Sequence, residues 1–145
     1  MLRLGRLVLR SEDPGERRRS PQFVSTPALL QPLTLRDLTL RNRLVVAPMC
    51  QYSVSDGLVG DYHLVHLGRF ALGGFGLVIV EATGVTPEGR ISPGDVGLWS
   101  DEHIPGLARI ADFLHAEGAA AGIHQGLPAR TQDVLDVTSL TVTDV

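Results

Sequence analysis

Lysine is missing altogether: all 13 basic residues are arginine. This excludes imine chemistry on a lysine amine, because a guanidinium stays protonated and forms no Schiff base. The bias reads as a genomic composition effect, not a functional signal. Cysteine is nearly as scarce. A single Cys50 rules out an internal disulfide and a cysteine-rich zinc site. It also suits a reducing, cytoplasmic compartment. No apolar run approaches the roughly 20 residues needed to span a bilayer, so no membrane partner is expected. A net charge of −3 and a pI near 5.9 give no basic field for nucleic acid.

What is present is an ordinary globular composition, 43% hydrophobic and 20% charged, in a chain of 145 residues that can bury a real core. Residues 1–28 differ from the rest. Arg3, Arg6, Arg10 and Arg17 to Arg19 punctuate a stretch with Pro and Ser. Glu12, Asp13 and Glu16 argue against an organelle transit peptide, which is poor in acids. The segment is expected to be a disordered extension or to stem from an upstream start codon.

From Pro32 the pattern becomes regular. Leu33, Leu35, Leu38 and Leu40 alternate around Arg36-Asp37, which predicts a β-hairpin. Leu44 to Ala47 form a short apolar run, expected as a strand buried on both faces and ended by Pro48. Cys50 to Gly60 read as a long loop. Asp61 is expected to cap a helix over Tyr62 to Ala71, stopped by Gly73-Gly74. Leu77 to Val80 predict a second strand, leading into Glu81, Ala82 and Thr83. A polar loop over 86–101 follows, then a helix starting near Ile104 with Gly118 just past its end. Ala119 to Ile123 can form a third strand.

Strand–helix alternation predicts a parallel sheet in an α/β fold. The leading hairpin and the long loops after each strand favour a (β/α)8 barrel over a doubly wound sheet. Gly73-Gly74-Phe75-Gly76 precedes its strand, the wrong context for a dinucleotide fingerprint. His63 and His66, three apart on one helix, are read as an ordinary helix face, because a metal needs more ligands than are suitably spaced. Glu81 is read as a strand-end carboxylate bonded to neighbouring backbone N–H groups.

Three stretches carry a resemblance: PLTLRDLTLRNRLVVAPMCQYS (32–53), GLVIVEATGVTPEGR (76–90) and LWSDEHIPGLARIADFLHAEG (98–118). In this order and spacing they resemble the start of old yellow enzyme family barrels, the NADH:flavin oxidoreductase/NADH oxidase group. Cys50 with Tyr52 is similar to the bacterial thermophilic-like class. The resemblance implies the N-terminal portion of a (β/α)8 TIM barrel, a hairpin plus about three βα units, incomplete over residues 29–123. It implies FMN as cofactor, NAD(P)H as reductant and an alkene activated by a carbonyl or nitro group as substrate. It places the backbone of Ala47, Pro48, Met49 and Cys50 against the flavin ring, with Ala82 lining that pocket. Cys50 would tune the flavin and Tyr52 would contact the substrate. Full-length members often form homo-oligomers.

After Ile123 the quoted likeness fades. A flavin-contacting Gln of the family falls at His124, and Gln125 stands one residue out of register, which in a strand means the opposite face. Residues 124–145 are expected to be a divergent, disordered tail arising from a frameshift or an altered gene end. The family's substrate-anchoring histidine pair, later arginine and phosphate site belong to strands beyond this segment. Weak FMN binding and little turnover are therefore expected of this chain alone. Two other readings stand beside the enzyme: a non-catalytic half-barrel that acts only with a partner chain, and a non-flavin barrel lyase.

Overall fold

A computed structural model describes residues 25–126 and 140–142 of the protein. The predicted hairpin is present. Strand β1 (Leu33–Leu35) pairs antiparallel with β2 (Leu38–Leu40), and Arg36 takes the left-handed conformation in the turn between them. The Thr34 and Thr39 hydroxyls bond across the pair at 3.1 Å.

The main sheet is built from β3 (Val45–Val46), β4 (Leu77–Gly84) and β6 (Ala120–Gly126), parallel neighbours in chain order. Between them run helices α1 (Asp61–Leu72) and α2 (Ile104–Ala116). Both faces of β4 are covered, as its unbroken apolar run requires. On one face Val78 and Val80 join Val46, Leu67, Ala71, Ile110 and Leu114 in the core beneath the two helices. On the other, Leu77 and Ile79 pack on Leu40, with Leu33 and Leu38 of the hairpin against them. The hairpin thus covers the non-helical face of the sheet at the start of β4.

β3 departs from expectation. Val46 is 5% exposed but Val45 is 43% exposed, so the strand is buried on one face. Among the described residues β3 is an edge of the sheet, with β4 on one side only. The cap of α1 differs too. Gly60 occupies the N-cap with no side-chain bond, and Asp61 lies inside the first turn. There its carboxylate favours the positive end of the helix dipole and pairs with Arg109 of α2 at 2.6 Å.

Both helices end as their glycines predict. Phe75 N–H donates to the Phe70 carbonyl and Gly74 N–H to that of Ala71; Ala119 and Gly118 repeat the pattern on Leu114 and His115. These are Schellman closures, with Gly74 and Gly118 at the C′ positions. Arg41 draws the two ends together. Its guanidinium donates to the carbonyls of Ala71 at 2.9 Å, Phe75 at 2.8 Å and Glu117 at 2.6 Å. Asn42 ties in the next turn, donating to the Gly74 carbonyl at 2.7 Å and accepting from Leu44 N–H at 3.0 Å.

The loop expected over 86–101 holds a short strand. β5 (Val96–Gly97) pairs parallel with Thr83 and Gly84 at the end of β4. Two residues are too few for periodicity to mark it. Of the segment expected to be disordered, His124 to Gly126 complete β6, and β7 (Leu140–Val142) pairs antiparallel with it. The remainder, and the extension over residues 1–24, lie outside the described residues.

Candidate active site

β3 pairs with the start of β4, and the loop that follows β3 runs on to Glu81, where the site begins. Ala47 is exposed, Pro48 and Cys50 are half-buried, and Met49 is 48% exposed. Beyond Pro48 the backbone leaves the ladder. The N–H groups of Met49 and Cys50 make no hydrogen bond to another described residue. Two amide donors without a partner among the described residues, a thiol and an apolar thioether just beyond a parallel strand form a donor set suited to the polar edge and flat face of a ring cofactor.

Tyr52 follows, 57% exposed, with its backbone at φ 52°. For a bulky L-residue that region costs on the order of 1–2 kcal/mol, so the surrounding loop must hold it in place. The Tyr52 phenol keeps its proton to higher pH than the ordinary 10.0. Electrostatic repulsion from the neighbouring Cys50 is the main cause, followed by desolvation and the charge of Asp95. At neutral pH it is a hydrogen-bond donor.

From β4 comes Glu81. The β4–β6 register shifts between Val80 and Ala82, leaving Glu81 as the extra residue of a bulge. Bulges re-aim a side chain, and this one brings the Glu81 carboxylate against α1. It is 3% exposed; Oε1 accepts from Gln51 N–H at 3.1 Å, and Oε2 lies 3.6 Å from His63 Nε2. The expected bond from Glu81 to backbone N–H is present. Ala82 follows, half-buried, opposite His124 in the ladder.

The two long loops brace each other. Gly97 N–H donates to the Gly57 carbonyl at 2.9 Å, and the buried His103 places Nε2 3.0 Å from the Asp56 carbonyl. Gly57 has φ +79°, and a Cβ there would meet the Trp99 ring at 2.6 Å. Only glycine fits that contact. Asp95, 1% exposed, accepts from Ile91 N–H at 2.6 Å and Ser92 N–H at 2.9 Å, which closes a turn within the second loop, and next to it the Gly94 carbonyl accepts from Val54 N–H of the first loop at 3.4 Å.

The structure thus gathers Ala47 to Cys50, Tyr52 and Glu81-Ala82 at one end of the sheet. His63 was read as an ordinary helix face, yet it is fully buried against Glu81; His66 instead stacks on Tyr62 with ring centroids 5.9 Å apart. Among the described residues no group of three or more His, Cys, Asp or Glu could hold a metal. Gln125 faces the helices: it lines a cavity of about 380 Å³ with Ala121 and Ile123, alternate residues of β6, against Leu107 and Ala111 of α2. His124 therefore takes the opposite face, as the register predicts. Gln51, Tyr62 and Asp95 were not singled out from the sequence. The one available signal was the position of Gln51 between two candidate site residues.

Comparison with known proteins agrees with this architecture. The profile of the NADH:flavin oxidoreductase / NADH oxidase family matches residues 28–134, running past Ile123. An NADPH dehydrogenase of Geobacillus thermodenitrificans is 48% identical over 108 residues, 73% of this chain and 32% of that protein. One from Listeria monocytogenes is 55% identical over 91 residues, 61% of this chain and 27% of that protein. The chain spans about a third of the length of the curated relatives it matches. Morphinone reductase in complex with tetrahydroNAD superposes with a TM-score of 0.64 at 30% identity, covering 70% of this chain and 27% of that one. The old yellow enzyme homologue from Zymomonas mobilis gives 0.63 at 27% identity, covering 69% and 28%. The hairpin and the β3, β4, β6 units are the corresponding portion of a TIM barrel, and the chain belongs to the NADH:flavin oxidoreductase / NADH oxidase family.

Proposed function

We propose that this chain supplies the flavin-facing part of an NAD(P)H-dependent ene-reductase acting on alkenes activated by a carbonyl or nitro group. The reading rests on one observation above others: backbone N–H groups without a partner among the described residues, a half-buried thiol and an exposed phenol lie within four residues of one another on the loop that follows β3, in a chain of this family. Bound FMN would accept hydride from the nicotinamide and deliver it to the substrate carbon. The backbone N–H groups of Met49 and Cys50 would donate to the polar edge of the ring, with Ala47, Pro48 and Ala82 packing beside it. The Cys50 thiol tunes the ring's electronics. Tyr52 holds a proton at Oη and donates a hydrogen bond to the substrate's carbonyl or nitro oxygen, withdrawing charge from the alkene. Full-length proteins of this kind would work as homo-oligomers in the cytoplasm.

Titrating the purified chain with FMN, followed by flavin absorbance and fluorescence, tests the reading. Weak but saturable binding with a shifted visible band is expected, weaker still in Cys50→Ala. Free-flavin spectra at every ratio would reject the half-site.

A further inference from the structure

Behind Cys50 and Tyr52 lies a cluster whose hub is Gln51. Both the backbone and the side chain of Gln51 are engaged. Its N–H donates to Glu81 Oε1 at 3.1 Å, its side-chain amide donates to the Met49 carbonyl at 2.7 Å, and its Oε1 accepts from the Tyr62 hydroxyl at 2.9 Å. Glu81 is buried, and beneath it His63 is wholly buried with neither ring nitrogen hydrogen-bonded among the described residues. Packing of α1 on the sheet does not call for such a pair. An apolar side chain would fill the space without the desolvation penalty of two ionisable groups. What the carboxylate does is hold one peptide N–H, that of the residue between the thiol and the phenol.

We propose that Gln51 is a positioning residue. Gripped by Glu81 and Tyr62, with His63 backing the carboxylate, it fixes the Met49–Tyr52 turn so that the Cys50 thiol and the Tyr52 phenol face one ligand. The left-handed backbone at Tyr52 needs such a restraint on its N-terminal side. On its C-terminal side Val54 N–H reaches the Gly94 carbonyl at 3.4 Å, a weaker hold. The ligand-facing role of Cys50 and Tyr52 rests on the function proposed above; the grip on Gln51 does not.

The test uses the full chain without FMN first. Cys50 is the sole thiol, so iodoacetamide labelling reports one site. Gln51→Met keeps the length of the side chain and removes its hydrogen bonds. Glu81→Ala removes the acceptor for the Gln51 N–H, and Glu81→Gln restores an oxygen there. Cys50 alkylation is expected to rise on the order of ten-fold in Gln51→Met and Glu81→Ala, the loss of one to two such bonds. Amide exchange at Gln51 is expected to rise similarly in Glu81→Ala and to return in Glu81→Gln. Unchanged labelling and exchange in a folded variant, or no rescue by Glu81→Gln, would overturn the proposal. If Glu81→Ala does not fold, Gln51→Met decides, because it leaves the buried Glu81 and His63 in place and alters only side-chain bonds to Met49 and to the exposed Tyr62. FMN titration of the wild type is read separately. Its failure removes the flavin reading while the thiol and amide results still decide the grip.

Discussion

Tyr52 shows how a single residue is set by its neighbours. Its phenol is held protonated above pH 10.0 chiefly by the Cys50 charge, so Cys50→Ala is expected to bring its midpoint back down. Ring-carbon NMR shifts followed between pH 8 and 12 would show this, and an unmoved midpoint would contradict it. The linkage sign follows. The folded chain keeps the proton where the unfolded chain has lost it, so this stabilisation is present below about pH 10 and falls as pH rises through the folded midpoint. His66 shifts the other way, below 6.5, through burial first and Arg69 next. Here the unfolded chain binds the proton more readily, so stability drops as pH falls through the region below 6.5. Urea melts of wild type and His66→Gln at neutral and mildly acid pH are expected to converge in the variant's favour on acidification.

At the scale of elements, the C-terminal ends of α1 and α2 are joined by one guanidinium. Arg41 serves three carbonyls across both Schellman closures, and cationic donors suit the negative ends of helices. Arg41→Ala is expected to lower stability by about 2 kcal/mol, read as a shift of the urea midpoint. Arg41→Lys should recover little, because an ammonium lacks the planar fork. The contact between the two loops has its own weak point. Gly57→Ala would force a Cβ into the Trp99 ring and strain a left-handed backbone. A lowered melting temperature with altered Trp99 fluorescence is expected, and Trp99 is the only tryptophan to report it. An unchanged spectrum would show that the loops do not brace each other.

At the scale of the whole molecule, the sheet presents apolar surface that its own described elements leave open. Val45 is 43% exposed on edge strand β3, and Ile104, 51% exposed, borders the apolar cavity between α2 and β6. Exposed edges pair with other chains. The chain is therefore expected to self-associate in light-scattering chromatography, and Val45→Lys to reduce that association. A strictly monomeric wild type at high concentration would rule out such edge pairing.

The sequence by itself determined the elements whose cause is local. Alternation around Arg36-Asp37 specified the hairpin, the unbroken apolar run Leu77 to Val80 marked β4, and glycines at 74 and 118 specified where helices stop. The family resemblance, not any local pattern, singled out Ala47 to Cys50, Tyr52 and Ala82, at and beyond strands where a barrel concentrates its chemistry. Tertiary structure alone decided what depends on partners distant in the chain. Val45 is exposed because of its edge position, β5 exists because the end of β4 has an open flank, and a single bulge turns Glu81 toward His63 and Gln51. No local pattern encodes a bulge of one residue or the neighbour it finds thirty positions back, since both are fixed only when strand and helix pack.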